Sequence, residues 1–314
     1  MQLEGKKALV TGGGRGIGRS IALAYAREGA DVAVVSRTGA ELEEVTNLVR
    51  GLGRKGLSIN AELTNSDEVS RAVKETIEAL GTVDILVNNA GGYRLFTDGL
   101  SHQVSVADIT EEEWQRVIHS NLTTTFLSCK AVLPHMMERG GGSIINLTSR
   151  NVARKGRAGA AAYGAAKAGL VNMGATLAHE WGPGIRVLTL TVGMIVTEDA
   201  GLYYGGDDGI AAVGANLAMR RMGDPAEVAD MCLVLASPLA RWMTGTNVEV
   251  HGGGEGLYRP GLTREQCRQV WHVVGFTSFV RGCHGDMLSR QPHYCQHGAA
   301  SALLFKWLVP DLAT

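Results

Sequence analysis

The chain has 314 residues, 45% of them hydrophobic and 19% charged, with 30 Lys and Arg against 31 Asp and Glu for a net charge of -1. That length and apolar content describe a globule with a full core, either one large α/β domain with an addition or two small domains, and exclude a disordered or fibrous chain. The balanced charge gives no reason to expect nucleic acid or an anionic membrane as partner, and no apolar run approaches the ~20 residues that span a bilayer.

Strand-like sequence begins at Lys7, so no secretory signal is expected, and the five cysteines, an odd number, are expected to be reduced thiols in a cytoplasmic protein. Residues 7 to 91 repeat one pattern. KKALV is a short apolar strand, followed by a glycine-rich turn and a helix over Arg19 to Glu28 that ends at Gly29. DVAVVS is the second strand and Glu41 to Leu52 the second helix. Gly56 to Asn60 is the third strand, Ser66 to Leu80 a helix capped by Ser66 and stopped at Gly81, and DILVNNAG the fourth strand. Continuous β-branched runs alternating with amphipathic helices predict parallel strands buried on both faces. The fold class is therefore α/β, a Rossmann-like doubly wound sheet whose ligand sits at the carboxyl ends of the strands.

The first turn, TGGGRGIG, joins strand one to helix one. Gly12, Gly16 and Gly18 let the backbone turn sharply and approach a pyrophosphate, which the helix N-terminus then meets with amide donors and a positive dipole end; Arg15 and Ile17 lie in the same turn. The spacing is G-x-x-x-G-x-G, and its place in a βαβ unit is what turns a glycine cluster into a dinucleotide site. At the end of strand two, an acidic residue would hold a ribose 2'-hydroxyl and signal NAD(H). The chain has Ser36-Arg37 instead, so NADP(H) is expected in preference to NAD(H), with Arg15 adding charge to the same 2'-phosphate.

A long loop from Gly92 to Ile109 leads to Thr110 and Glu113, a capping box that opens a long helix carrying Asn121. Strand five covers 143–148. It enters a basic Gly/Ala-rich loop and then a helix with Tyr163 and Lys167, four residues apart and so on one face. An ammonium beside a phenol favours the phenolate and brings a pKa of about 10 toward the working range, while Ser149 at the strand end offers a hydroxyl to a substrate oxygen. The bland alternative is a packed tyrosine with a solvated amine. Strand six covers Gly184 to Thr191. Residues 194–222 lack clean periodicity before Ile210 and suit a mobile lid over a ligand, and a helix over Ala226 to Leu235 precedes the last strand, Thr246 to Val250.

TGGGRGIG at 11–18, NNAG at 88–91, Asn121, Ser149 and YGAAK at 163–167 occur in one order, and the chain from residue 5 to about 256 resembles a short-chain dehydrogenase/reductase. The resemblance implies hydride transfer between a nicotinamide and a small-molecule carbonyl or alcohol. It makes Tyr163 the proton donor or acceptor, Lys167 the group that lowers its pKa and holds the nicotinamide ribose, Ser149 the substrate-oxygen ligand, and Asn121 the holder of a relay water. It places Asn89 and Ala90 near the adenosine ribose, Glu62 at the adenine contact and Ile195 and Thr197 near the nicotinamide carboxamide, with Leu63 and Gly91 also among the cofactor-binding residues. Homodimers or homotetramers are usual in the family. Glu62 stands where the family usually has Asp. Val192-Gly193 replaces Pro-Gly and is expected to loosen the loop that follows. Ser149 is 14 residues before Tyr163, one more than usual, with Thr148 as the fallback.

The expected division is a catalytic domain over 1–256 and an extension over 257–314, the latter dispensable for chemistry and with a short helix over Ser301 to Leu308. The extension holds Cys267, His272, Cys283, His284, His293, Cys295 and His297, whose spacings match no known zinc pattern, so no metal is expected. Tyr93, Phe96, Met194, Tyr203 and Tyr204 suggest a mostly apolar substrate pocket, with core packing the alternative for the aromatics. The rival reading is a catalytically silent dinucleotide sensor or scaffold on the same fold.

Overall fold

The computed structural model describes residues 1–92, 106–150 and 160–253. Met1–Ala200 with Gly223–His251 forms one compact unit, and a second takes in 201–222 and, among the described residues, 252 and 253. In the first unit β1 (Lys7–Thr11), β2 (Asp31–Ser36), β3 (Gly56–Asn60), β4 (Ile85–Asn88), β5 (Gly142–Ser149), β6 (Ile185–Val192) and β7 (Asn247–Val250) form one sheet. Every pairing is parallel, and the order is β3-β2-β1-β4-β5-β6-β7. The chain winds outward from β1 to β3 and then returns to the other side of β1 with β4. The strand order reverses between β1 and β4, where Thr11 pairs with Asn88, and that is where a doubly wound sheet opens its crevice.

The helices are α1 (Gly16–Arg27), α2 (Gly39–Gly51), α3 (Ser66–Leu80), α4 (Glu111–Ile118), α5 (Thr124–Glu138), α6 (Ala161–Trp181), α7 (Ala200–Tyr204), α8 (Gly206–Ala215) and α9 (Pro225–Ala236). Side chains alternate across the strands and both faces are covered, which is why the strands read as unbroken apolar runs. Ala8, Val10, Val32, Val34, Ile145 and Leu147 pack with Ile21 and Tyr25 of α1, Leu42 of α2 and Val228 of α9. Leu9, Ala33, Val35, Leu86, Ile144 and Val187 pack on the opposite face with Val69 and Val73 of α3 and Val132 and Met136 of α5. Each fully buried Val, Leu, Ile or Met among them stabilises the fold by about 1.5–3 kcal/mol.

Several sequence expectations need correction. α1 begins at Gly16, three residues before Arg19, because the turn glycines themselves enter the helix. α3 is capped by Asn65, whose Oδ1 accepts from the amides of Asp67 and Glu68, and Ser66 is already helical. The capping box of Thr110 and Glu113 forms. The helix it opens is interrupted, however, by a π-turn over His119–Thr123 that contains Asn121. Residues 200–204 and 206–215 are helical, well before Ile210, in α7 and α8. Their Gly content masks any periodicity.

Candidate active site

The glycine turn is fixed by its neighbours at the β1/β4 switch. Thr11 Oγ1 donates to Val87 O at 3.2 Å and accepts from the amides of Asn89 and Ala90, both at 3.0 Å. Asn89 Nδ2 donates to the carbonyls of Thr11 and Gly12 at 3.0 Å each. Gly12 has φ +64° and Gly16 φ +53°, the left-handed region that favours glycine. A Cβ on Gly18 would lie on the carbonyl oxygen of Gly12 and 2.6 Å from Asn89 Nδ2. Bare backbone at these positions, with the amides of α1 opening beside them, is a cradle that fits a pyrophosphate.

Ile17 packs against the first core face and Leu63 is buried in the second. Ser36 Oγ accepts from Thr38 N at 3.3 Å. The Arg37 side chain is 68% exposed, with Nη1 3.5 Å from Glu62 Oε2, while Glu62 Oε1 accepts from the amide and hydroxyl of Thr64. Arg15 Nη1 lies 2.9 Å from Asp199 Oδ2 and its Nε 4.0 Å from Glu41 Oε2. Ser36, Arg37, Arg15 and Glu62 thus share the ends of β1, β2 and β3, and each guanidinium has a carboxylate beside it. Asp199, Glu198 and Glu41 escaped the sequence reading. The one available signal was the acidic pair directly after Thr197.

On the other side of the switch, α6 carries Tyr163 and Lys167 inward, 8% and 4% exposed. Lys167 Nζ lies 5.8 Å from the centroid of the Tyr163 ring and donates to Leu147 O of β5 at 3.1 Å. Burial lowers its pKa to about 8. Thr148 Oγ1 is buried and donates to Lys167 O at 2.9 Å, so that hydroxyl is committed to the helix backbone. Successive strand side chains face opposite ways, and half-buried Ser149 ends β5 opposite Val192 of β6. Strand and helix are tied together from both directions at the point where the pair sits.

Asn121 is fully buried. Its Oδ1 accepts from Gly92 N at 2.8 Å, and its Nδ2 lies within bonding distance of Val117 O at 3.1 Å, Ser120 Oγ at 3.1 Å and Gly92 O at 3.3 Å. The π-turn swings this amide onto the end of the NNAG segment, and a Cβ on Gly91, at φ +130°, would stand 2.6 Å from Asn121 Oδ1. Gly91 is therefore needed for the asparagine to reach the loop. Beyond β6, Gly193 N donates to Val250 O, Gly223 N to Met194 O and Val196 N to Gly223 O, at 2.8–2.9 Å. Val192-Gly193 thus leads into a segment held by bridges on both sides of Ile195, against the expectation of a loosened loop, and Thr197 follows at the edge of Gly16. Met194 and Tyr204 are half-buried. Tyr93, Phe96 and the tail positions Cys267, His272, Cys283, His284, His293, Cys295 and His297, like the helix expected over 301–308, lie outside the described residues. Among the described residues no cluster of His, Cys, Asp and Glu forms a metal site, and no helix is long and apolar enough to cross a membrane.

A family model described as enoyl-(acyl carrier protein) reductase matches residues 12–255. An uncharacterized oxidoreductase of Mycobacterium tuberculosis is 36% identical over 253 residues, 80% of this chain and 93% of that protein. The 3-oxoacyl-(acyl-carrier-protein) reductase FabG of Staphylococcus epidermidis is 37% identical over 250 residues, 79% of this chain and 98% of the relative. Among solved structures, a 7α-hydroxysteroid dehydrogenase complexed with NADH and 7-oxo glycochenodeoxycholic acid superposes with a TM-score of 0.74 at 30% identity, covering 81% of this chain and 95% of that one. A short chain dehydrogenase from Burkholderia cenocepacia in complex with NADP gives 0.72 at 31% identity, covering 82% and 100%. Glycine cradle, Tyr163–Lys167 pair and relatives point one way: the chain belongs to the short-chain dehydrogenase/reductase family and is an NAD(P)-dependent oxidoreductase.

Proposed function

We propose that the protein interconverts a small-molecule carbonyl and the corresponding secondary alcohol, with NADP(H) preferred over NAD(H) and Tyr163 as general acid/base. The observation that carries this is the buried Lys167 Nζ, 5.8 Å from the Tyr163 ring and bonded to Leu147 O beside the end of β5. When bound, the nicotinamide supplies a hydride to the carbonyl carbon in reduction or accepts one in oxidation. In reduction Tyr163 gives its phenolic proton to the carbonyl oxygen, so the alcohol keeps both the C–H and the O–H bond. The Lys167 ammonium stabilises the phenolate left behind. Ser149 holds the same oxygen by its hydroxyl; the commitment of Thr148 to α6 supports Ser149 over Thr148 in this role. Asn121 fixes Gly92 and the π-turn, and so positions the path by which the phenolate regains its proton.

The glycine cradle of Gly12, Gly16, Ile17 and Gly18 would hold the pyrophosphate, with Asn89, Ala90 and Gly91 at the adenosine ribose and Glu62 and Leu63 at the adenine. Ser36, Arg37 and Arg15 would meet a 2'-phosphate, and Lys167, Ile195 and Thr197 the nicotinamide end. The residues that close β2 are Ser36 and then Arg37 rather than an acidic residue, which supports NADP(H). Relatives named for 3-oxoacyl thioesters, and a neighbour solved with a 7-oxo steroid, make those ketone classes the first substrates to try. The catalytic domain is taken as 1–256 with 257–314 an extension, working as a cytoplasmic homodimer or homotetramer. The test is NADPH and NADH oxidation with a panel of 3-oxoacyl thioesters and cyclic ketones. Turnover should collapse in Tyr163→Phe while nucleotide still binds; full activity in that variant would remove Tyr163 from the mechanism and revive the silent-sensor reading.

A further inference from the structure

Two carboxylates already sit on the donors that the phosphates of a dinucleotide need. Glu198 Oε1 accepts from the backbone amide of Gly16, the first residue of α1, at 3.2 Å. Next to it, Asp199 Oδ2 lies 2.9 Å from Arg15 Nη1. Thr197 and Glu198 lie directly against the turn: a Cβ on Gly16 would meet Thr197 Cγ2 at 3.4 Å and Glu198 Oε2 at 3.5 Å, both ordinary van der Waals contacts. Thr197, Glu198 and Asp199 follow Ile195 and Val196, and the backbone at 194–196 is anchored on Gly223. The clasp therefore joins the pyrophosphate end of the crevice to the segment on its nicotinamide side.

We propose that Glu198 and Asp199 form an internal carboxylate strap that competes with the cofactor's phosphates for the glycine turn, and that Asp199 sets how strongly Arg15 favours a 2'-phosphate. This rests on the reading of the turn as the dinucleotide site. One amide hydrogen serves one strong acceptor, so a pyrophosphate on Gly16 N must displace Glu198, and a carboxylate left nearby repels the incoming phosphates. Asp199 neutralises Arg15 in the same way, which weakens the attraction of a 2'-phosphate but leaves the 2'-hydroxyl of NAD(H) indifferent. Displacement of the strap shifts residues 197–199, so phosphate binding also sets the position of Thr197.

The two carboxylates have separable signatures. NADP+ and NAD+ dissociation constants are measured on the full chain by tryptophan fluorescence and calorimetry, for the wild type, Glu198→Gln, Asp199→Asn and the control Glu44→Gln. Glu44 of α2 pairs at 2.8 Å with Arg19 of α1, the helix that Gly16 opens. Glu198→Gln should tighten both nucleotides by about two- to five-fold, the scale of a helix-terminus or exposed ion-pair contact. Asp199→Asn should tighten NADP+ by about that factor and NAD+ little, and Glu44→Gln should change neither. Should Asp199→Asn fail to fold by thermal denaturation, Asp199→Ser gives the same readout. Unchanged or weaker binding in both strap variants overturns the strap while leaving the enzyme reading intact. A wild type that binds neither nucleotide overturns both.

Discussion

The two halves of the crevice are both strand-turn-helix units at the carboxyl end of one sheet, yet they are built from opposite materials. Between β1 and α1 the working parts are backbone amides and the absence of side chains, held by Thr11 and Asn89. Between β5 and α6 the proposed working parts are side chains, Ser149, Tyr163 and Lys167, beside the bonds that Lys167 and Thr148 make between strand and helix. The difference teaches where each half is vulnerable. Atoms added to the first have nowhere to go, whereas atoms removed from the second should leave the fold standing and the proposed chemistry gone.

Removing the phenolic oxygen breaks the side-chain half most cleanly. Tyr163→Phe should lower kcat by about 10²–10⁴-fold, with nucleotide dissociation constants within about two-fold of wild type, measured by steady-state kinetics and fluorescence titration. A comparable loss of binding would mean that the tyrosine belongs to the cofactor site instead. Adding one methyl should break the backbone half. Gly18→Ala forces its Cβ onto the Gly12 carbonyl, and should destabilise by about 1–3 kcal/mol in urea unfolding and abolish detectable nucleotide binding.

Lys167 sharpens the contrast because its burial opposes folding while serving chemistry. Its folded pKa of about 8 lies below the unfolded value near 10.4, so the unfolded state binds more protons between those values and stability rises with pH across that window. Below pH 8, holding the ammonium inside costs about 3 kcal/mol at most. Lys167→Met should therefore lose turnover yet resist urea as well as or better than wild type at pH 7, with the advantage shrinking as pH rises from 8 to 10.5. An advantage independent of pH would mean that the ammonium is solvated in the folded state. For the same reason wild-type kcat/KM for the cofactor in the reductive direction should fall above about pH 8. The smallest effect belongs to the support of the glycine turn. Asn89→Ala leaves the carbonyls of Thr11 and Gly12 without their shared donor, and should destabilise by about 1 kcal/mol and weaken nucleotide binding several-fold.

Much of this was legible in the chain. The alternation of apolar strands and amphipathic helices carried the doubly wound sheet, because parallel strands buried on both faces leave continuous Val, Ile and Leu runs. TGGGRGIG and YGAAK carried the two halves of the site, because a close backbone approach needs glycine and a helical pair needs a spacing of four. What escaped depends on contacts distant in sequence. Glu198 and Asp199 reach the glycine turn across more than 180 residues, and no local pattern announces that approach. The π-turn at Asn121 was read as plain helix because its composition is ordinary; only the pull of Gly92 on the asparagine amide marks it. The cap of α3 fell one residue away, on Asn65, since Asn and Ser are near-equal caps and backbone geometry chooses between them.

The sequence by itself determined the class of fold, the order of its elements and which residue types were present to bind a dinucleotide and move a proton. Those follow from periodicity and side-chain chemistry, which are local. The tertiary structure alone decided which charges meet. It set carboxylates beside Arg15 and Arg37, committed Thr148 to the helix rather than to a substrate, and buried Lys167 deeply enough to bring its pKa to about 8. Electrostatics depends on distance and dielectric, and both are fixed only when strands far apart in the chain come to lie side by side.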